Sequence, residues 1–294
     1  MKNKNLGIIA ITYNSSSLIK QFIKNIDLSK NDLVIVDNAS KDNTIEIIEK
    51  NFPQIKIIKN SYNSGFSRAA NNGIKSLKNK YALLLNIDSF ISQDDIDKIV
   101  NVMNSNNKIA IAGPMIYSGT ISGNQILEKD LITRIALKEK NNKIHYNKFI
   151  TGAAMFLNLK NIKNIGLFDE NFFLYCEDNE ICKRSIKKGY INAIISDTKL
   201  IHTGGSSCNI LHEEIQRIYW HKFGWSKLYF TEKVHGKFIA KLKAIRMIIK
   251  FLITIFAKYF KNTKPKSDIL QALNGSYAYL IGKNAFDNNN KARG

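Results

Sequence analysis

Four places in this sequence put side chains capable of chemistry just after an apolar run. Asp37-Asn38 follows Leu33 to Val36, Asn86-Ile87-Asp88 follows Tyr81 to Leu85, Glu177-Asp178 follows the aromatic patch Phe172-Phe173-Leu174-Tyr175, and His202 follows Thr198 to Ile201. Asp37 at a strand end could accept a hydrogen bond from a base N–H, or form an Asx turn heading a helix that starts near residue 42. Position alone weighs the two equally. Asp88 suits a divalent ion that also bridges a diphosphate, because hard cations take oxygen ligands and phosphate repulsion needs neutralising. Its structural alternative is to N-cap the helix that follows. Glu177-Asp178 is the best candidate for a general base, against the ordinary use of acids to complement a helix dipole. His202, ahead of Thr203-Gly204-Gly205-Ser206, reads either as a ligand or as a plain strand-end histidine.

These groups need a scaffold, and the first hundred residues supply its pattern. Gly7 to Thr12, Leu33 to Asp37, Ile55 to Lys59 and Tyr81 to Asn86 read as buried strands, with helical stretches near 16–27, 41–51, 66–79 and 92–104. Strand and helix alternating at this spacing predict an α/β fold with a mostly parallel sheet flanked by helices. Ligands of such sheets bind beyond the carboxyl ends of the strands. Thr12-Tyr13-Asn14, Asp37-Asn38 and Asn86 to Asp88 are then expected to share one crevice. Residues 114–148 read as a variable insertion of loops with a hairpin. A run from Ile150 to Leu157, a helix from Glu177 to Lys188 capped by Gly189, and strands near Ile191 to Ile195 and Thr198 to Ile201 complete the pattern. No G-x-G-x-x-G turn and no G-x-x-x-x-G-K-[ST] loop occurs, which argues against dinucleotide oxidoreductases and P-loop enzymes.

The chain has 294 residues, 44% of them hydrophobic, enough for a sizeable core and too many for a disordered chain. Forty-four Lys and Arg against twenty-four Asp and Glu give +20, an attraction for phosphates, nucleic acid or an anionic membrane. An abundance of Asn, Ile and Lys, as in proteins from AT-rich genomes, accounts for part of that excess. The clustered part is more informative: eleven lysines and Arg246 face one acid, Glu232, between Lys222 and Lys266. On a helical wheel Lys243, Arg246, Lys250, Lys258 and Lys261 fall opposite Leu242, Ile245, Ile248, Ile249, Leu252, Ile255, Phe256 and Phe260, so residues 237–261 read as a basic amphipathic helix. Three cysteines, 176, 182 and 208, indicate neither a disulfide framework nor a zinc site and fit a reducing cytosol. No signal peptide is expected, and the apolar run Phe251 to Ala257 is far below the roughly 20 residues that cross a bilayer. Expected domains are 1–225 and a helical, basic region 226–294.

Taken in order, several strings form a set. They are Ile11-Thr12-Tyr13-Asn14, Val36-Asp37-Asn38-Ala39-Ser40 with Asp42, Asn63-Ser64-Gly65-Phe66 with Asn71 and Gly73, and Leu84-Leu85-Asn86-Ile87-Asp88. Gly152-Ala153-Ala154-Met155, Gly166 to Asp178, Arg184, Gly189-Tyr190 and His202 to Ser206 close it. This set resembles glycosyltransferase family 2, of the GT-A fold, in its rhamnosyltransferase-like branch of bacterial surface-polysaccharide enzymes. The resemblance covers about residues 6–207.

It implies that Thr12, Tyr13, Asn14, Asp37, Asn38 and Asn86 line a nucleoside pocket closed by Gly65, Phe66 and Asn71. It further implies that Asp88 and His202 hold Mg²⁺ or Mn²⁺ on the donor diphosphate, that Gly152 and Asp169 lie on the sugar and acceptor side, and that Asp178 of the pair Glu177-Asp178 is the base. Asn86 departs from the D-x-D pattern and leaves one carboxylate fewer. One base without a second nucleophile fits a single displacement with inversion. The expected activity is transfer of a sugar from dTDP-rhamnose or a UDP donor to a lipid-linked or growing saccharide, as in O-antigen or capsule assembly, by a cytoplasmic enzyme peripheral on the inner membrane face. The alternative use of the C-terminal helices is a homodimer contact. A catalytically inactive GT-A scaffold is the rival reading. A nucleic-acid-binding protein is a weaker one, since it leaves the acidic strand ends unexplained.

Overall fold

The computed structural model describes residues 4–122, 125–131, 143–203, 212–260 and 267–294. The expected Gly204 to Ser206 turn and Lys261 fall outside them. The chain divides into two compact units, Met1–Ser61 with Ala69–Leu167 and Ile181–Asn209, and Tyr62–Arg68 with Phe168–Glu180 and Ile210–Gly294.

In the first unit β1 (Leu6–Thr12), β2 (Asp32–Asp37), β3 (Lys56–Lys59) and β4 (Tyr81–Leu85) alternate with α1 (Ile19–Lys24), α2 (Thr44–Asn51) and α3 (Gly65–Lys75), whose first four residues belong to the second unit. The short β5 (Ser89–Ile91) precedes α4 (Gln93–Ser105). Every residue of β4 and six of seven in β1 are buried, the two-sided burial that an unbroken apolar run provides for a central parallel strand. These strands lie in the order β3-β2-β1-β4, all parallel, and Thr12 stands opposite Asp37. Their carboxyl ends therefore open on one edge, as expected. Gly73 lets α3 close on β1, since a Cβ there would lie 2.5 Å from Ile9 Cγ2.

Beyond β4 the sheet continues through β9 (Ala154–Asn158), β6 (Ile109–Ser122), β10 (Ile191–His202) and β5. β9 runs antiparallel to β4 and β6, β6 and β10 are parallel, and β5 returns antiparallel to β10, so this half of the sheet is mixed. The expected hairpin in 114–148 exists, as β6 with β7 (Gln125–Leu131), but Pro114 to Ser118 pair with β10 and belong to the sheet rather than to loops. β8 (Ile144–Tyr146) also pairs with β10. The two strands expected over 191–201 are one, with a bulge between Ile195 and Lys199. α5 (Leu159–Ile165) and α6 (Glu177–Lys187) follow β9, and Gly189, at φ +81, supplies the left-handed residue after α6. Arg184 ties this region down by donating to the carbonyls of Ile165, Gly166 and Leu167 at 2.8–2.9 Å.

The second unit is built on α7 (His212–Tyr219), a π-helical turn (Trp220–Trp225), α8 (Ser226–His235), α9 (Lys237–Phe260) and α10 (Ser267–Leu280). Its core gathers Phe173, Trp220, Trp225, Leu228, Tyr279 and Phe286. Among the described residues no helix is long and apolar enough to cross a membrane.

Candidate active site

At the edge formed by β1 and β2, Asp37 is 3% exposed and both of its oxygens accept hydrogen bonds. It accepts from Thr12 Oγ1 at 2.9 Å, from the Ser40 hydroxyl at 2.5 Å and from the Ser40 N–H at 2.9 Å. The helix-heading role falls to Asp42, which accepts from the N–H and hydroxyl of Thr44 and from the Ser16 N–H. Asn14, left-handed at φ 50, donates its N–H to Ser40 Oγ and accepts from the Lys41 N–H, binding the two strand ends to each other. Asn38 donates its N–H to the Thr12 carbonyl and accepts from Asn60. Between them Ala39 stands at φ 65, a conformation that costs an alanine about 1 kcal/mol or more and that a surrounding hydrogen-bond frame must hold. Tyr13 is half-buried beside this frame, and Asn71 is buried on α3. Ser40 and Ala39 were not singled out as site residues. The signal for Ser40 was its place three residues after Asp37, but nothing in the letters marks a left-handed alanine.

One strand further, Asn86 donates its N–H to the Ala153 carbonyl at 3.0 Å, next to Gly152. Asp88 does not N-cap α4. Strand β5 intervenes, and Ser92 caps that helix by accepting from the Asp95 N–H. Asp88 is instead 2% exposed and its Oδ1 has no hydrogen-bond partner. His202 Nε2 lies 3.2 Å from that oxygen. The pairing of β5 with β10 sets Ser89 opposite His202, and Thr203 donates its N–H and hydroxyl to the Asp88 carbonyl at 2.9 and 3.2 Å. The three-residue β5 is thus the element that joins Asp88 to His202, and it was too short to read from sequence. A buried orphan carboxylate oxygen and an imidazole nitrogen at 3.2 Å fit one divalent cation. Among the described residues no cluster of three or more His, Cys, Asp or Glu could hold a metal ion, so these two would be its ligands from the chain. A cavity of about 370 Å³ opens beside His202, lined by Pro114, Ile116, Phe149, Ile150 and Ile194 among others.

The second unit holds the remaining candidates. Gly65 has φ +80 and donates its N–H to Asn63 Oδ1 at 3.1 Å, and a Cβ there would lie 2.3 Å from the Phe173 carbonyl oxygen. Phe66 donates its N–H to that carbonyl at 2.7 Å and meets Phe168 edge-on at 6.0 Å. Asp169 accepts from Tyr229, from Asn171 and, as an ion pair at 2.9 Å, from Lys233. Burial alone would raise its pKa, but Lys233 and Asn171 hold it below the usual carboxylate value. Asp169 therefore anchors this loop to α8.

Glu177 and Asp178 open α6 after two consecutive left-handed residues, Tyr175 at φ 68 and Cys176 at φ 72. Such strain concentrates where a loop is forced to present particular side chains. The two acids differ in environment. Glu177 is 6% exposed, its Oε2 has no hydrogen-bond partner, and burial, followed by the charge of Asp178, pushes its pKa up to about 8. Asp178 is half-buried, and its Oδ1 accepts from the N–H and side chain of Asn179. Burial and the neighbouring Asp178 thus hold Glu177 toward its neutral form. Cys176 remains a thiol, since burial and Glu177 push it to about 12.

Residues 7–165, 159 of the chain's 294, match the family model described as Glycosyl transferase family 2. An uncharacterized glycosyltransferase of Haemophilus influenzae is 25% identical over 239 residues, 71% of this chain and 69% of that protein. The dTDP-rhamnosyl transferase RfbF of Shigella flexneri is 25% identical over 236 residues, 74% of this chain and 77% of its own. The crystal structure of GalNAc-T7 with UDP, GalNAc and Mn²⁺ superposes with a TM-score of 0.56 at 13% identity, covering 97% of this chain and 60% of that one. The fold shared with that structure is GT-A.

Proposed function

Because the chain belongs to glycosyl transferase family 2, we propose that it is an inverting glycosyltransferase that moves a sugar from a nucleotide donor, dTDP-rhamnose or a UDP-sugar, to a lipid-linked saccharide. The observation that carries this reading is the buried, unpartnered Asp88 Oδ1 set 3.2 Å from His202 Nε2 at the strand-end edge. Both would hold Mg²⁺ or Mn²⁺, which when bound neutralises the diphosphate that leaves. Thr12, Tyr13, Asn14, Asp37, Asn38 and Asn71 would receive the nucleoside. The frame around Asp37 holds its shape through internal hydrogen bonds and so spends no ordering entropy when donor arrives.

Asp178 takes the proton of the incoming hydroxyl as its oxygen forms the bond to the anomeric carbon and the bond to the diphosphate breaks on the opposite face. That single displacement inverts the configuration. Glu177, kept largely neutral, adds no second charge beside the base. Gly152 and Asp169 border the sugar and acceptor side, Asp169 by fixing its loop. The dTDP-rhamnosyl transferase among the relatives supports a deoxysugar donor, and the Mn²⁺ in the GalNAc-T7 structure supports the cation. We place the work at the inner face of a bacterial membrane, in surface-polysaccharide assembly. The inactive-scaffold reading draws on Asn86, where a second carboxylate is missing.

A panel of UDP-, GDP- and dTDP-sugars incubated with the purified chain and Mn²⁺ tests this. One donor should be hydrolysed or transferred and should raise the melting temperature, and both effects should vanish with EDTA or in Asp88→Ala. A chain that turns over no donor, or that works fully in EDTA, refutes it.

A further inference from the structure

Helix α9 carries its large apolar side chains on a side left exposed among the described residues. At 100° per residue, Leu242, Ile245, Ile249, Leu252, Ile253 and Phe256 fall within about 100° of arc, and each is 43–64% exposed. The opposite side is the packed one, and its buried residues are Ala240 and Ala244. Small alanines let α9 pack closely on α8 and α10, and they leave the bulky residues facing outward. At 1.5 Å per residue, Leu242 to Phe256 gives a stripe about 21 Å long. A contiguous apolar patch of this size marks an interaction surface.

The charges beside the stripe say which surface it meets. Lys241 borders one side, Arg246 and Lys250 the other, and α9 contains no acid. Lys237 and Lys241 also line, with Lys283, a cavity of about 400 Å³ in the same unit, whose single acid, Glu232, is occupied by the Tyr279 hydroxyl. Three ammonium groups around a cavity this small suit a phosphate. A second copy of this chain would bring like charges against these flanks, whereas an anionic bilayer supplies apolar depth and phosphate together.

We propose that the exposed face of α9 lies in the headgroup boundary of an anionic phospholipid membrane, with Lys237, Lys241 and Lys283 holding a headgroup phosphate. This deepens the membrane-facing part of the function proposed above by naming the surface that docks. Vesicle co-sedimentation of the full chain at low salt tests it, using phosphatidylglycerol mixed equally with phosphatidylcholine, and phosphatidylcholine alone. Wild type should bind the anionic vesicles and lose binding as salt rises. Ile249→Asp with Ile253→Asp, both on the exposed face, should lower binding about a hundredfold with an unchanged melting temperature. Lys237→Ala, Lys241→Ala and Lys283→Ala combined should lower binding to anionic vesicles by a similar factor, at about fivefold per lysine, and leave binding to neutral ones unchanged.

Equal binding by wild type and both variants overturns the proposal. So does a dimer, by light scattering, that the double aspartate variant dissociates while vesicles bind nothing. Donor hydrolysis without lipid, measured on the same proteins, separates the two readings. Hydrolysis intact with no vesicle binding defeats the docking surface alone, and vesicle binding with no hydrolysis defeats the reaction alone.

Discussion

Replacing Glu177 by glutamine isolates the buried acid at the head of α6. Burial and the adjoining Asp178 raise its pKa from 4.5 to about 8 in the folded chain. Between those values the folded chain keeps a proton that the unfolded chain has released. The stability this contributes is whole below pH 4.5 and is lost as pH rises through about 8. At about 1.4 kcal/mol per unit, a rise of about 3.5 units corresponds to about 5 kcal/mol, and relaxation around the ionised group reduces it to about 2–5 kcal/mol. Glutamine keeps the shape and has no proton to lose, so Glu177→Gln should be nearly flat over the same range. Urea unfolding at about pH 5 and about pH 8 measures the difference. Trp220 and Trp225 belong to the same unit as Glu177 and report its unfolding by fluorescence. Wild type should lose stability between the two conditions and the variant should not. Parallel losses in both proteins would show that Glu177 does not hold a raised pKa.

The remaining expectations are independent of that result. Asp178→Asn should lower kcat about a hundredfold with donor affinity nearly unchanged, and near wild-type turnover would move the base to another residue. His202→Ala should weaken activity at low Mn²⁺ and recover as Mn²⁺ is raised; a deficit indifferent to metal concentration would make His202 structural. Gly65→Ala should cost at least about 2 kcal/mol in thermal unfolding, because the new Cβ meets the Phe173 carbonyl and the backbone is left-handed. An unchanged melting temperature would contradict the packing at that turn.

The strands β1 to β4 were legible because a parallel central strand must be apolar on both faces, and such runs stand out between polar helices. Direction was not legible beyond them. An apolar run such as Ala154 to Leu157 looks the same whether the strand runs with β4 or against it. Helix α9 shows a different limit. Its basic and apolar sectors were readable on a wheel, but a wheel says nothing about which side the protein covers. The chain buries Ala240 and Ala244, the residues a hydrophobicity ranking values least, since close approach between helices rewards small side chains.

The site was legible as residue types and not as geometry, and Asp88 shows what geometry adds. From the letters, an acid followed within a few residues by a helix is an N-cap or a ligand. The three residues of β5 decide between them, because they carry the chain away from α4 and alongside β10, where His202 waits. With Asn86 in the other acidic position, the described residues offer two ligands, and the remaining positions around a cation would have to come from donor oxygens and water. On the proposed reading, metal and donor then bind each other's site as much as the protein's. By linkage each must tighten the other by the same factor. A weak two-ligand site would for that reason be compatible with a strictly metal-dependent reaction, because an ion that arrives with a diphosphate would bring ligands of its own.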